Sequence, residues 1–303
     1  MRLRTPAFDR FVAPARTRPG LGRLVAGFLM IEALFYVAAI VIVAIFRDLL
    51  FAPAPGPEGG WTYVSTPLGV VIVLATPALL ILWTPWIAGR LQGRRLRDLV
   101  GPLDPGLLLG AAAITLGLAL LTESFVWTDP MSEGVSLGTL LAWLPVALPV
   151  LLLQTGGEEL FYRGYLQTQL AARFEDPAIW LGGPALLFAL VHVDVWHLAT
   201  EGHFSGNDGG WLIVLFASGL IAGDLTRVTG GIAAAWGWHF GNNLFAIFLV
   251  TFEGPVSGLA LYVLPFSAEE VPLDVLTVAQ LLMTQVILWA VLRLWLARRG
   301  LPE

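Results

Sequence analysis

Three short polar groups interrupt an otherwise apolar chain, and their residue types are those of water-activating chemistry. Glu158 and Glu159 adjoin, with Arg163 four residues beyond Glu159; Phe188 precedes His192 by four; His239 precedes Asn243 by four. A carboxylate such as Glu158 can take a proton from water, with His192 orienting that water or sharing its proton. His239 and Asn243 can donate hydrogen bonds to the oxyanion that forms when a carbonyl is attacked. Peptide-bond hydrolysis fits such a set, and it needs neither a serine nor a cysteine nucleophile. The chain contains no cysteine at all, which also removes thiolate metal sites and disulfides.

The spacing divides the labour within the first group. On a helix Glu159 and Arg163 are i, i+4 partners with the acid N-terminal, the better orientation for an ion pair. Glu158 sits about 100° round the helix from Glu159, which leaves it free for chemistry. Each group also has a plainer reading. The first could be a solvated helix end at the membrane interface, His192 a hydrogen-bonded core residue, and the His239–Asn243 pair interhelical glue among small residues.

The elements that must position these groups are membrane helices. Of 303 residues 57% are hydrophobic and 13% charged, whereas about a quarter are charged in soluble domains. The expected fold is all-α: a polytopic membrane helical bundle of about eight transmembrane helices in a single domain. Runs of spanning length, roughly 17 to 25 residues, lie near 24–46, 67–89, 105–126, 137–160, 177–195, 210–228, 231–251 and 276–297. The first is apolar apart from Glu32 and too long for a cleaved leader, so it reads as a retained anchor. Residues 1–23 form an Arg-rich N-terminal segment, 24–297 the transmembrane domain with its motif core at 137–250, and 298–303 a short tail.

Loop charge gives the orientation. All 17 basic residues are Arg. With eight spans, Arg90, Arg94, Arg95, Arg97, Arg173, Arg227, Arg298 and Arg299 share one side with the N-terminal arginines, while the opposite loops are acidic and hold Arg47 alone. That places both termini in the cytoplasm. The Pro/Gly-rich stretch 52–60 and the acidic stretch 253–274 read as external loops. His197 and His203, with Asp194, Glu201 and Asp208, fall in another, where irregular spacing favours a solvated loop over a metal site.

Depth is consistent with one shared site. If the fourth and fifth spans form a hairpin turning near Glu175, Glu158 and His192 are each about 17 residues, roughly 25 Å, from the turn. His239 is roughly 13 Å from its own turn at Gly230, so the groups are level if the hairpin protrudes by roughly 10 Å.

Glu-Glu-x-x-x-Arg at Glu158, Glu159 and Arg163, Phe-x-x-x-His at Phe188 and His192, and His-x-x-x-Asn at His239 and Asn243 together resemble the motifs of the CAAX protease and bacteriocin-processing family, also called Abi. The resemblance covers about residues 137–250 and no motif position departs from it. It implies an intramembrane endopeptidase with an eight-helix core and a cytoplasm-facing cavity. Glu158 would activate water, with His192, His239 and Asn243 as partners and Glu159, Arg163 and Phe188 in support.

The family is often labelled metalloprotease, and two Glu with two His could hold Zn²⁺. Neither His-x-x-x-His nor His-Glu-x-x-His occurs, and Asn243 suits an oxyanion better than zinc, so a metal-free, glutamic-type mechanism is favoured and no metal ligand is assigned. The competing classes are a transporter with a proton relay through Glu158, His192 and His239, and a non-catalytic immunity or assembly factor. The expected partners are the lipid bilayer and a membrane-associated peptide or protein substrate, with no nucleic acid. The all-Arg usage suggests a prokaryotic cell membrane. The sequence assigns no oligomeric state.

Overall fold

The computed structural model describes residues 4–53, 61–126, 130–193, 202–203, 206–271 and 273–301. Helices dominate it: α1 (Pro6–Val12), α2 (Leu21–Ile45), α3 (Pro67–Ala78), α4 (Leu80–Gln92), α5 (Pro105–Val126), α6 (Leu137–Glu159), α7 (Gly183–Leu190), α8 (Gly206–Thr229), α9 (Ala233–Phe248) and α10 (Val275–Arg298). The result is a polytopic helical bundle. Six stretches are long and apolar enough to cross a membrane: Leu21–Ile45, Pro67–Gln92, Pro105–Thr122, Leu137–Ala171, Asn207–Thr229 and Val275–Arg298.

The other two expected spans are short. Residues 177–195 contain an apolar helix over Ala178–Leu190, and 231–251 contain α9, 16 residues long. Both lie below the length that crosses the hydrocarbon. The helix α9 is enclosed by α5, α6 and α8, whereas Ala178–Leu190 keeps apolar residues such as Ile179 and Leu186 exposed. Conversely, Pro77 divides the expected span 67–89 into α3 and α4, since proline cannot donate to the helix ladder and clashes with the preceding turn.

The fourth span continues beyond its expected end. After Glu159 the helix widens to π geometry over Leu160–Gln167 and returns to α over Thr168–Ala171. Glu158 and Glu159 therefore stand where an α-helix passes into a π-helix, a distortion that recurs at functional sites. The Arg-rich loop closes beneath this segment. Arg94 donates to Thr168 Oγ1 at 2.8 Å and to the Asp98 carbonyl at 2.6 Å, and burial pulls its guanidinium down to about 10.

The stretches expected to be external loops carry small sheets. Strands β1 (Phe51–Pro53) and β2 (Trp61–Tyr63) pair antiparallel, Phe51 opposite Tyr63. Strands β3 (Ser132–Glu133), β4 (Val250–Glu253) and β5 (Tyr262–Ser267) form a second sheet in the order β3-β5-β4, antiparallel then parallel. Asp194, His197 and Glu201 lie outside the described residues, as does most of the stretch 52–60.

Two close approaches set the frame of the site. Gly237 and Gly241, one turn apart on α9, face α5: a Cβ on them would meet the carbonyl oxygens of Leu108 at 2.0 Å and Ala112 at 2.5 Å. Such small-xxx-small spacing lets membrane helices touch at the backbone. On the neighbouring face the Trp236 indole donates to the Leu152 carbonyl at 3.0 Å, fastening α9 to α6.

Candidate active site

The α6–α9 contact brings two of the three polar groups together in the interior. Glu159 and Arg163 are fully buried, at 0% and 1% exposure, and Glu158 and His239 are buried beside them. A solvated helix end is thereby excluded. Arg163 Nε lies 3.3 Å from Glu159 Oε2. Its guanidinium is stacked over the ring of Phe188 at 4.8 Å, and Nη2 reaches the Gly219 carbonyl at 3.4 Å. Burying three ionised groups is costly unless each has a partner, and here Glu159 supplies a partner twice over.

Its second oxygen, Oε1, lies 2.9 Å from His239 Nδ1. Spacing along the sequence assigned Glu159 to Arg163 alone; the structure puts it between Arg163 and His239. A carboxylate only accepts, so Nδ1 carries the proton in that bond. The ring is then turned with Nε2 towards Glu158, 3.7 Å from Oε2. That distance exceeds a hydrogen bond, and Glu158 Oε2 is buried without a protein hydrogen-bond partner.

Glu158 Oε1 is held by a residue the motifs do not contain. Gln154, one turn earlier on α6, donates to it at 2.5 Å. The Gln154 side-chain oxygen Oε1 in turn accepts from Asn243 Nδ2 at 3.2 Å. Asn243 is thus coupled to Glu158 through Gln154 and does not bond to it directly. A lone glutamine four residues before the acid, inside an apolar run, was the available signal.

His192 reaches the site by another route. The helix carrying Phe188 ends at Leu190, so His192 lies in the turn that follows and not on a helix face shared with Phe188. Its Nδ1 lies 2.7 Å from the Phe188 carbonyl. A carbonyl only accepts, so this bond places the proton on Nδ1 and leaves Nε2 with its lone pair. The side chain lines the same cavity as Glu158 and Tyr162, a space of about 260 Å³. Phe188 is the common surface: its ring centroid lies 4.7 Å from that of His192 and 5.9 Å from that of His239.

Zinc requires three or four convergent ligands. Among the described residues no three His, Cys, Asp or Glu side chains are grouped to hold a metal ion. His239 Nδ1 is engaged by Glu159, and His192 Nδ1 by a backbone carbonyl. Both bonds leave the Nε2 atoms turned towards the Glu158 side of the site.

Residues 140–245 match the family model described as type II CAAX prenyl endopeptidase Rce1-like. The matched segment contains Glu158, Glu159, Arg163, Phe188, His192, His239 and Asn243, and it agrees with the family that the three motifs resemble. No curated protein matches the chain. Six apolar helices together with this match make the chain an integral membrane protein.

Proposed function

We propose that the chain is an intramembrane endopeptidase of the CAAX protease type that cleaves a membrane-associated peptide or protein with a water activated by Glu158. The observation that carries this reading is the buried carboxyl oxygen Glu158 Oε2, without a protein hydrogen-bond partner, on a cavity it shares with His192 and facing His239 Nε2.

In this reading Glu158 Oε2 takes a proton from a cavity water while His192 Nε2 orients it. The hydroxide attacks the scissile carbonyl, and the oxyanion is met by Asn243 Nδ2–H and by Nε2–H of protonated His239, whose charge Glu159 balances. Glu158 then returns the proton to the leaving nitrogen as the C–N bond breaks. General acid–base assistance of this kind contributes roughly 10² to 10⁴ in rate, and an oriented oxyanion donor about as much again.

The metal-free version draws support from Asn243, a carboxamide linked to Glu158 through Gln154 and better suited to an oxyanion than to a cation; Nδ1-bonded histidines with Nε2 open fit either version. The arginine distribution supports cytoplasmic termini, and the all-Arg usage a prokaryotic membrane. The test is cleavage of a membrane-anchored peptide by purified protein in proteoliposomes. Glu158→Ala, His192→Ala and His239→Ala should each abolish it while the protein remains folded. Full cleavage by all three variants would sink the mechanism.

A further inference from the structure

A second carboxylate reaches the Glu158 cavity from its opposite wall. That wall is α2, whose Glu32, Phe35 and Tyr36 line the cavity together with Glu158, Tyr162 and His192. Glu32 is 11 residues beyond Leu21, the first residue of α2, or roughly 16 Å along the helix axis, well inside a membrane-spanning segment. A carboxyl group at such depth is costly and marks function by default. Among the described residues nothing offsets this cost: Glu32 is partly buried and makes no hydrogen bond or ion pair.

The surroundings define what it could receive. The cavity wall offers two carboxyls, an imidazole and two phenols, but no cation. The nearby guanidinium of Arg163 is committed to Glu159 behind the Phe188 ring. The rings of Phe35 and Tyr36 flank Glu32, and an aromatic face beside a carboxylate suits a desolvated cation. The cavity also opens sideways. Beyond Ile31 no residue of α2 is buried, and Tyr36 and Val191, both on the cavity, are about half exposed.

We propose that Glu32 is a specificity-determining residue: its carboxylate accepts the charged N–H donors of a Lys or Arg side chain next to the scissile bond, as the peptide enters the cavity between α2 and Val191. A long basic side chain fits this path, with its methylene stem along Phe35 and its head group on the carboxylate. The inference rests on the protease reading of the same site and adds to it the chemistry of the residue that flanks the cleaved bond.

The experiment uses the full-length protein in liposomes and a pool of alkyl-anchored peptides, varied at four positions on each side of the cleavage point and read by mass spectrometry. The wild type should cleave peptides with Lys or Arg at one fixed position in preference to those with Gln or norleucine there. Glu32→Gln should reduce that preference, measured as a ratio of kcat/KM, by roughly 10- to 100-fold, the value of a charge-assisted hydrogen bond. Glu32→Asp should retain part of it. The preference should reside in KM more than in kcat. Cleavage without a basic preference, or a preference that survives Glu32→Gln, overturns the inference and leaves the protease reading intact. So does an equal loss of kcat on all peptides with one limb of the pH profile removed, which would make Glu32 a proton carrier. No cleavage of any peptide by the wild type overturns the protease reading, and the inference with it.

Discussion

Glu159 Oε1 lies 2.9 Å from His239 Nδ1, across the contact between two helices whose residues are 80 positions apart in sequence. This bond decides which nitrogen of His239 faces Glu158, and it makes Glu159 the joint between a buried cation and a buried imidazole.

Glu159→Gln keeps the size of the side chain and removes its charge. An amide carries no charge to balance protonated His239, so the imidazolium that donates Nε2–H to the oxyanion loses its support. The expected outcome is a fall in kcat of about 10² or more. Arg163 also loses its partner, and breaking a buried pair costs roughly 3 to 5 kcal/mol. Thermal unfolding in detergent beside single-turnover cleavage separates the two. A variant equal to wild type in both would remove Glu159 from the site.

Gln154→Ala should lower kcat about tenfold, because Glu158 loses its donor and Asn243 its acceptor together. If the three act as a relay, Gln154→Ala and Asn243→Ala are not additive. A double-mutant cycle should give a coupling of about 0.5 to 3 kcal/mol. Strict additivity would break the relay into two independent contacts.

Gly237→Ala tests the frame without touching the chemistry. The new methyl would meet the Leu108 carbonyl at 2.0 Å, so α9 must move off α5. Overpacking of this sort typically costs about 1 to 3 kcal/mol. Tm should fall and activity with it, whereas Glu158→Ala should lose activity at an unaltered Tm.

Asp274 caps α10 by accepting the Thr277 amide at 2.8 Å, and that N–H holds its carboxyl below the usual range. The unfolded chain binds the proton more readily than the folded one. The contribution is therefore present in full above the unfolded pKa, about 3.9, and is lost as pH falls through the lower folded value. The Tm difference between wild type and Asp274→Ala should be constant at neutral pH and shrink below about pH 4. A difference that persists at lower pH would contradict the charge-based cap.

Exhaustive chelation followed by metal analysis addresses the zinc alternative. Protein without bound metal should still cleave its peptide; loss of activity restored by Zn²⁺ would reverse the mechanism proposed above.

The motif residues were legible because one helical turn separates the members of each group, and helix geometry alone makes Glu159 meet Arg163. Their meeting with His239 was legible in depth but not in detail, since the hydrogen-bond order across α6 and α9 depends on rotamers that no spacing encodes. The helical bundle was legible too, and its span count rests on hydropathy alone. Hydropathy measures apolar content, and a helix such as α9, wrapped by α5, α6 and α8, is as apolar as one that crosses lipid. The π-helical stretch after Glu159 carries no composition signal. Glu32 was visible as the one charge in its run, but its partnership with the Glu158 cavity required the placement of α2.

The half-docked state of α2 has a consequence beyond specificity. Leu24, Gly27 and Ile31 are its buried residues; Leu34 and Phe35 still pack on the core, while Val37, Ile40, Val41, Val43 and Ile45 face whatever surrounds the protein. One wall of the cavity is thus rigid and covalently continuous with Glu158, and the other is held in part by hydrocarbon chains. In the protease reading the bilayer is then a structural component of the chamber, and its thickness and lateral pressure are variables of the reaction rate.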